Sequence, residues 1–440
     1  MNNPNKIHET IVNFTRFIVI NLDTVLSIIL AAIAAVLSTF GGEIEYVLAA
    51  TAGVLIVLSI GTLRDRNARE SLVQQIQNIR LEIKQFAGQM SADDFFSHKT
   101  NEQLIIVQAE NEIFLLQETG RLIAETNRRD LVNFLRRGGR IRWVSVLDSP
   151  SIIELMAFRN ANLITPQLMA GRMRSGFEMI EVLANEAGSN ATQLEVRFFP
   201  YPTDLTAVFK DPNHVDHRKR EALVRLQGFQ VTFDDKLDFR INSYNSKEVY
   251  ELFRQQMENI WHSSTKCIFL TGKPRVGKST LLSKLVDIIR QSTDLKIVGF
   301  ITHDIKNESG DRIAFETTTV DKLERGQLAV KKDKGYYELD HNTMEEIILP
   351  TLLTGVEEAD LLVIDEVGPI QLQSTKFQNL INSVLEKRNI SVIGIVASQG
   401  HPYLSKIHQH YRTGLIEVNE LNRDQLVEKL AVEFMTRGKN

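Results

Sequence analysis

A single cysteine, Cys267, stands in 440 residues. No intramolecular disulfide is therefore available, and the residue lies in the strand-like run "CIFLTG", where a small buried apolar side chain fits. This usage points to a reducing compartment. An excess of one charge is also lacking: 51 basic residues face 55 acidic ones, for a formal net charge of −4. That balance gives no global electrostatic case for nucleic acid. Hydrophobic residues make up 43% of the chain, enough for real cores, so wholesale disorder is not expected. The length has room for roughly three domains at the usual domain size.

Charge is missing altogether from two stretches near the N-terminus. Val25 to Phe40 carries none, with Phe17 to Leu22 extending the apolar character backwards, and Tyr46 to Leu63 is the second. Each supplies roughly the 20 apolar residues that a bilayer core requires. A mid-membrane carboxylate is costly, so Asp23 belongs near the interface, with the span starting close to Thr24. The link "GGEIE" is too short for a domain, and residues 1–64 are expected to form a hairpin of two transmembrane helices. Lys6 and Arg16 precede the first run, Arg64, Arg66 and Arg69 follow the second, and the link holds only Glu43 and Glu45. The positive-inside rule then places both termini in the cytoplasm, as a multi-pass membrane protein. The alternatives are a buried core hairpin or a cleaved signal peptide, which would leave the second run unexplained.

Residues 65–94 read as a helical stalk. Leu72, Ile76, Ile79, Ile83 and Phe86 are spaced 4, 3, 4, 3, a heptad seam on one helical face, and Gly88 is a natural stop. Two outcomes fit so short a seam: side-by-side association into a homo-oligomer, or one amphipathic helix lying on its own downstream domain.

Residues 95–262 alternate between strand-like and helix-like patterns. "LIIV", "IRWVSVL" and "LEVRFFP" are strand-like, while "NRRDLVNFLRRGG" is a helix ending at Gly138 and Gly139. "NSKEVYELFRQQMENIW", residues 245–261, is an amphipathic closing helix with Asn245 or Ser246 as its cap. The order predicts an α/β domain with a mainly parallel or mixed sheet. The phrases "LVNFLRRGGRIRWVSVLDSP", "VRFFPYPTDLTAVFKDP" and "SKEVYELFRQQMENIWHSS" resemble a phospholipase D-like domain. That resemblance implies a catalytic H-x-K-x-x-x-x-D, in which a histidine attacks phosphorus. The one H-x-K here is His217-Arg218-Lys219, Val224 occupies the aspartate position, and there is no second copy. A non-catalytic domain is therefore expected. The other reading is an unrelated α/β sensor or adaptor domain, with "HRKR" at 217–220 a solvated surface.

The sharpest signal lies in residues 263–440, expected to be an α/β domain with a mostly parallel sheet. Gly272, Lys273, Pro274, Arg275, Val276, Gly277, Lys278 and Ser279 fit G-x-x-x-x-G-K-[ST] at every fixed position, and Thr280 follows. The strand "CIFLT" precedes the motif and the helix "STLLSKLVDIIR" follows it, the context a P-loop needs. Glycines let the backbone wrap phosphates, and amides at the helix N-terminus point toward negative charge. Lys278 is placed to reach the β/γ-phosphates, and the Ser279 hydroxyl to ligate magnesium. Downstream, "ADLLVIDEVG" is a buried strand ending in Asp365 and Glu366. Asp365 suits the magnesium–water shell, and Glu366 is placed to polarise an attacking water. The strand "SVIGIVAS" ends at Ser398 and Gln399, candidate γ-phosphate sensors.

From Lys266 to about Lys429 the chain resembles the cancer-related nucleoside-triphosphatase family, which are small P-loop enzymes. Besides the P-loop, the likeness rests on "VGFITHDIKNESGDRIAF", "IDEVGPIQL" and "NRDQL". It implies Arg312, Asn422 and Arg423 as phosphate or base contacts, and ATP or GTP with Mg2+ as substrate and cofactor. Asp304, Lys306, Ala314, Ile370 and Gln371 depart from the family pattern. Lysine at 306 cannot supply the planar fork of an arginine, which bears on rate and nucleotide preference. The expectation is a membrane-anchored nucleoside triphosphatase facing the cytoplasm. Two other classes stay open: a small nucleotide kinase, and a signalling or defence switch gated by nucleotide. A basic residue such as Arg412 or Arg423 is a candidate arginine finger offered to a neighbouring chain.

Overall fold

The computed structural model describes residues 102–435 except 161–163, 233–234 and 333–334, and outside that run only Gln77 and Phe96. Gln77, on the expected stalk, is helical. The two uncharged runs of the expected hairpin lie outside the described residues. Among the described residues no helix is long and apolar enough to cross a membrane. The chain divides into Met1–Phe96 and Ser97–Asn440.

The second unit holds two sheets. The first contains β1 (Glu112–Gln117), β2 (Arg140–Val146), β3 (Leu194–Phe199), β4 (Leu205–Lys210), β5 (Glu221–Leu226) and β6 (Asp238–Asn242). Their order is β3-β2-β1-β4-β5-β6. Pairs among β1, β2 and β3 are parallel, and β4, β5 and β6 add antiparallel, so the sheet is mixed. One expected strand is corrected. "LIIV" lies inside helix α1 (Glu102–Gln108), where only Ile105 and Ile106 are buried. A four-residue apolar run does not distinguish a strand from one turn of a buried helix, and the true first strand is the following "EIFLLQ".

Between β1 and β2 run α2 (Arg121–Thr126) and α3 (Arg128–Arg136), the latter the expected "NRRDLVNFLRR" helix. Gly138 follows it at φ 89°, a left-handed stop that glycine adopts without a Cβ clash. Then come α4 (Pro150–Arg159) and the long α5 (Pro166–Ala187), whose cap Thr165 accepts a hydrogen bond from Leu168 N–H. The closing helix α6 (Lys247–Ser263) starts at Ser246, but that side chain makes no capping bond.

The second sheet contains β7 (Cys267–Thr271), β8 (Ile297–Lys306), β9 (Arg312–Thr319), β10 (Arg325–Lys331), β11 (Tyr337–Leu339), β12 (Leu361–Val367), β13 (Ser391–Val396) and β14 (Thr413–Glu417). The order is β11-β10-β9-β8-β12-β13-β7-β14. The strands β8, β12, β13, β7 and β14 are parallel, and β9, β10 and β11 form an antiparallel extension. Side-chain alternation in β7 explains why its sequence is apolar throughout. Cys267 and Phe269 enter the core on one side, and Ile268 and Leu270 the core on the other. Helices α7 (Lys278–Ser292), α8 (Leu349–Glu358), α9 (Thr375–Glu386), α10 (Leu404–His408) and α11 (Arg423–Met435) complete this half. Burying a Leu or Phe side chain contributes about 2 kcal/mol, so these two cores hold the sheet's carboxyl edge rigid.

The sheets meet at β3. Val196 N–H donates to Tyr411 O at 2.8 Å, and Thr265 N–H donates to Phe198 O at 2.8 Å. Tyr411, though late in the chain, belongs to the hydrophobic core of the first sheet.

Candidate nucleotide site

The site is built on the carboxyl edge of the parallel strands, where open α/β sheets present their ligands. After β7 the chain turns through a loop with three residues in the left-handed region: Gly272 at φ 130°, Arg275 at φ 66° and Gly277 at φ 98°. At Gly272 a Cβ would lie 2.4 Å from Val418 O, so no side chain fits between the loop and the end of β14. Arg275 is not a glycine, and holding it there costs about 1 kcal/mol that the surrounding contacts must offset. Val276, 9% exposed, pins the loop by entering the core beneath it, while Lys273, Pro274 and Arg275 remain exposed. Gly277 caps α7, so free backbone N–H groups and the positive end of the helix dipole face the loop's concavity.

Lys278 Nζ donates to the carbonyls of Gly272 at 3.0 Å and Lys273 at 2.9 Å, which folds it back over the loop it belongs to. Burial pushes its ammonium down, and Glu366 and Asp365 oppose that shift. Ser279 Oγ donates to Asp365 Oδ1 at 3.0 Å, joining the P-loop to the end of β12. The other carboxylate oxygen accepts from Thr302 N–H at 2.9 Å, and the Thr302 hydroxyl donates to Asp365 O at 2.6 Å. Asp365 is 1% exposed. Burial pushes its carboxyl up to about 7, with the bonds from Thr302 and Ser279 pulling the other way.

Glu366 follows on the partly open side of the strand, and burial raises its carboxyl too. Lys278 and Arg312 lower it, and Asp304 raises it, so these charges share one neighbourhood. The pairing of β8 with β9 brings Asp304 and Arg312 together, with Arg312 Nη2 2.6 Å from Asp304 Oδ2. The aspartate that departs from the family pattern thus holds the arginine which the resemblance implicates.

Arg423 opens α11 beside the P-loop. Its Cδ and Nη1 lie 3.7 Å from the Cβ position of Gly277, so the same chain supplies this cation to the loop. Asn422 is placed differently from a free base contact. Its Nδ2 donates to Glu417 O at 2.8 Å and its Oδ1 accepts from Asn419 N–H at 2.9 Å, so it shapes the loop that presents Arg423. Thr280, Ser398 and Gln399 are exposed at the same edge.

Arg412 requires a correction. It is 1% exposed, and its guanidinium donates to the carbonyls of Val384, Leu385 and Ile390 at the end of α9 and in the loop after it. A side chain committed in this way is closed to a neighbouring subunit. Local sequence gave no sign of that burial, because the carbonyls it satisfies lie more than 20 residues away along the chain. Thr302 was missed as an individual residue, although it lies within the motif-like phrase "VGFITHD".

The residues fit a magnesium ion. A hydroxyl and a carboxylate converge within 3.0 Å, both hard oxygen donors. Among the described residues no group of three or more His, Cys, Asp or Glu makes a self-sufficient metal cage. That suits magnesium, which takes one or two protein oxygens and completes its shell with phosphates and water.

Comparison with known proteins matches the same stretch of chain. The NTPase family model matches residues 267–431. The nucleoside-triphosphatase THEP1 of Thermotoga petrophila is 32% identical over 178 residues, spanning 39% of this chain and 96% of that protein. The crystal structure of THEP1 from the hyperthermophile Aquifex aeolicus is 27% identical, with 37% of this chain and 96% of that one covered and a TM-score of 0.33. For the solution structure of a human cancer-related nucleoside triphosphatase the values are 26%, 38%, 95% and 0.32. Through its second sheet, the chain belongs to the THEP1 nucleoside-triphosphatase family and is a nucleoside-triphosphate hydrolase.

Proposed function

We propose that the hydrolase splits the γ-phosphate from ATP or GTP with magnesium, and that residues 1–64 anchor it to a membrane with the catalytic half in the cytoplasm. The observation that carries the chemistry is the 3.0 Å contact from Ser279 Oγ to Asp365 Oδ1, with Glu366 the next residue. Ser279 would hold the ion and Asp365 its water shell. The metal supplies charge neutralisation on the phosphate oxygens. Lys278, released from the carbonyls of Gly272 and Lys273, would transfer its bonds to the phosphates. Arg423 and the loop amides add further positive potential.

Glu366 takes the proton from a water whose oxygen bonds to the γ-phosphorus as the bond to the β–γ bridging oxygen breaks. The products are a nucleoside diphosphate and inorganic phosphate. A carboxyl raised by burial is a better base than an exposed one, and Lys278 and Arg312 partly oppose that rise. The membrane reading is supported by the two uncharged runs and their basic flanks. The middle region is read as a phospholipase D-like module without catalysis. Lys219 Nζ is neutralised by Glu110 at 2.6 Å, and His217 Nδ1 is engaged by Ser243 Oγ at 2.9 Å.

A second reading, a nucleotide-gated switch, is favoured by α11. That helix starts at the P-loop with Arg423 and reaches the junction with the first sheet at Glu433. Phosphate release by detergent-solubilised full-length protein tests both, using ATP, GTP, CTP and UTP with and without magnesium. Lys278→Ala is expected to abolish triphosphate binding. Glu366→Gln is expected to keep binding and lose about a hundredfold or more in turnover. Parental turnover in Glu366→Gln would remove it as the base, and magnesium-independent release would remove the metal.

A further inference from the structure

The first sheet contains a cavity that the hydrolase site does not use. It has a volume of about 420 Å3 and opens at the carboxyl end of β1, on residues 117–120. There β1 pairs with parallel β2 on one side and antiparallel β4 on the other. The strand order β3-β2-β1-β4 also reverses here, and ligands of open α/β sheets gather at the carboxyl ends of strands where the order reverses. His217 and Lys219 are remote from this cavity. Lys219 pairs with Glu110, just ahead of the amino end of β1.

The wall is unevenly charged. Arg121, Arg172, Arg225 and Lys236 line it, against Glu102 and Glu118. Two of the cations are ion-paired: Arg121 faces Glu125, outside the lining, at 3.7 Å, and Arg225 takes Asp238, also outside it, at 2.7 Å and the lining's own Glu102 at 3.1 Å. Glu118 is taken by Arg159. The excess therefore falls on Lys236 and Arg172, neither of which has an ion-pair partner among the described residues. Lys236 is only 9% exposed, and its ammonium donates to the neutral Oε1 of Gln227. Burial, then Arg159 and Arg225, push it down to about 8, with Asp238 opposing. A buried cation without a counter-ion is destabilising, and a fold keeps one where an anion completes it. The lining also includes the apolar Ile164, Leu168 and Met169, the last two one turn ahead of Arg172 on α5. The volume lies in the range of small-molecule sites, about 300–1,000 Å3.

We propose that this cavity binds a small organic phosphate monoester, its phosphate held by Lys236 and Arg172 and its carbon skeleton lying against Leu168 and Met169. A phosphate monoester carries close to two negative charges at neutral pH, which matches the two unpaired cations. The apolar part of the lining selects for an organic part over inorganic phosphate.

The test uses detergent-solubilised full-length protein carrying Lys278→Ala, so that the P-loop contributes little to phosphate binding. Calorimetry is run with ribose 5-phosphate and AMP, with ribose and adenosine as unphosphorylated partners, and with inorganic phosphate. At least one ester is expected to bind about tenfold or more tighter than both its unphosphorylated partner and inorganic phosphate. Adding Lys236→Met, which keeps the stem and removes the charge, is expected to weaken that binding about tenfold. In the protein with Lys236 intact, ester affinity should fall as pH rises past about 8, where the ammonium deprotonates. Lys236→Met should lose that pH dependence. Arg172→Ala lies on an exposed helix face and gives the same reading should the buried substitution impair folding. The proposal is overturned if neither ester outbinds its partner, if inorganic phosphate binds as tightly, or if both substitutions leave affinity unchanged.

Discussion

Arg197 on β3 and Glu433 on α11 are ion-paired, tying a strand of the first sheet to the last helix of the second. The same carboxylate accepts from His262 Nδ1 at 2.6 Å and lies 3.4 Å from Lys266 Nζ. Arg197 also stacks 3.8 Å over the Trp261 ring. Five side chains from α6, the strand β3, the connection to β7 and α11 thus share one knot, which makes it the polar centre of the junction.

Glu433→Gln is expected to destabilise the protein by about 3 kcal/mol, because it leaves Lys266 buried without its anion and Arg197 with Glu195 alone. Burial raises the Glu433 carboxyl, but His262, Arg197 and Lys266 outweigh it and hold it well below the usual 4.5. A depressed acid contributes stability that is present above its unfolded value and lost as pH falls through the folded one. Thermal stability should therefore fall more steeply below about pH 4.5 in the parent than in Glu433→Gln. Parallel pH profiles would show that the carboxyl is not held down.

Asp365→Asn keeps the shape and removes the charge behind Ser279. The magnesium concentration for half-maximal phosphate release should rise about tenfold or more. An unchanged magnesium requirement would show that Asp365 only organises Thr302.

Gly272→Ala places a methyl 2.4 Å from Val418 O at a backbone angle of φ 130°. Nucleotide-induced thermal stabilisation is expected to disappear. Gly171→Ala, where nothing lies within 4 Å, is the control and should be neutral or slightly stabilising. Equal nucleotide response in the two variants would place the P-loop's tolerance elsewhere.

The first sheet should not cleave phosphodiesters, since Lys219 is occupied by Glu110 and position 224 is valine. Hydrolysis of bis-(4-nitrophenyl) phosphate that disappears in His217→Ala would reverse that expectation.

Contiguous motifs were legible where the chemistry is local. The P-loop follows a strand and opens a helix, so residues 272–279 read directly, and "LLVID" could only be a buried strand ending in carboxylates. "LIIV" was misread, because four apolar residues satisfy either period. Arg412 looked like an available cation and is instead a buried cap for α9, its partners set by tertiary packing. The Arg197–Glu433 contact bridges 236 positions, and nothing near either residue announces it. Lys236 was passed over for the same reason, because its surroundings come from β5, α4 and α5 together.

The joint at Glu433 also restricts how these parts can be recombined. A cut between residues 262 and 263 would leave Lys266 and Glu433 on one fragment with Arg197 on the other, and would strip Tyr411 from the core that receives it. Any foreign domain spliced ahead of β7 would need a guanidinium where Arg197 stands and a recess for that tyrosine. The hydrolase half is thus keyed to its neighbour, and shuffling it among unrelated proteins would require both features to travel with it.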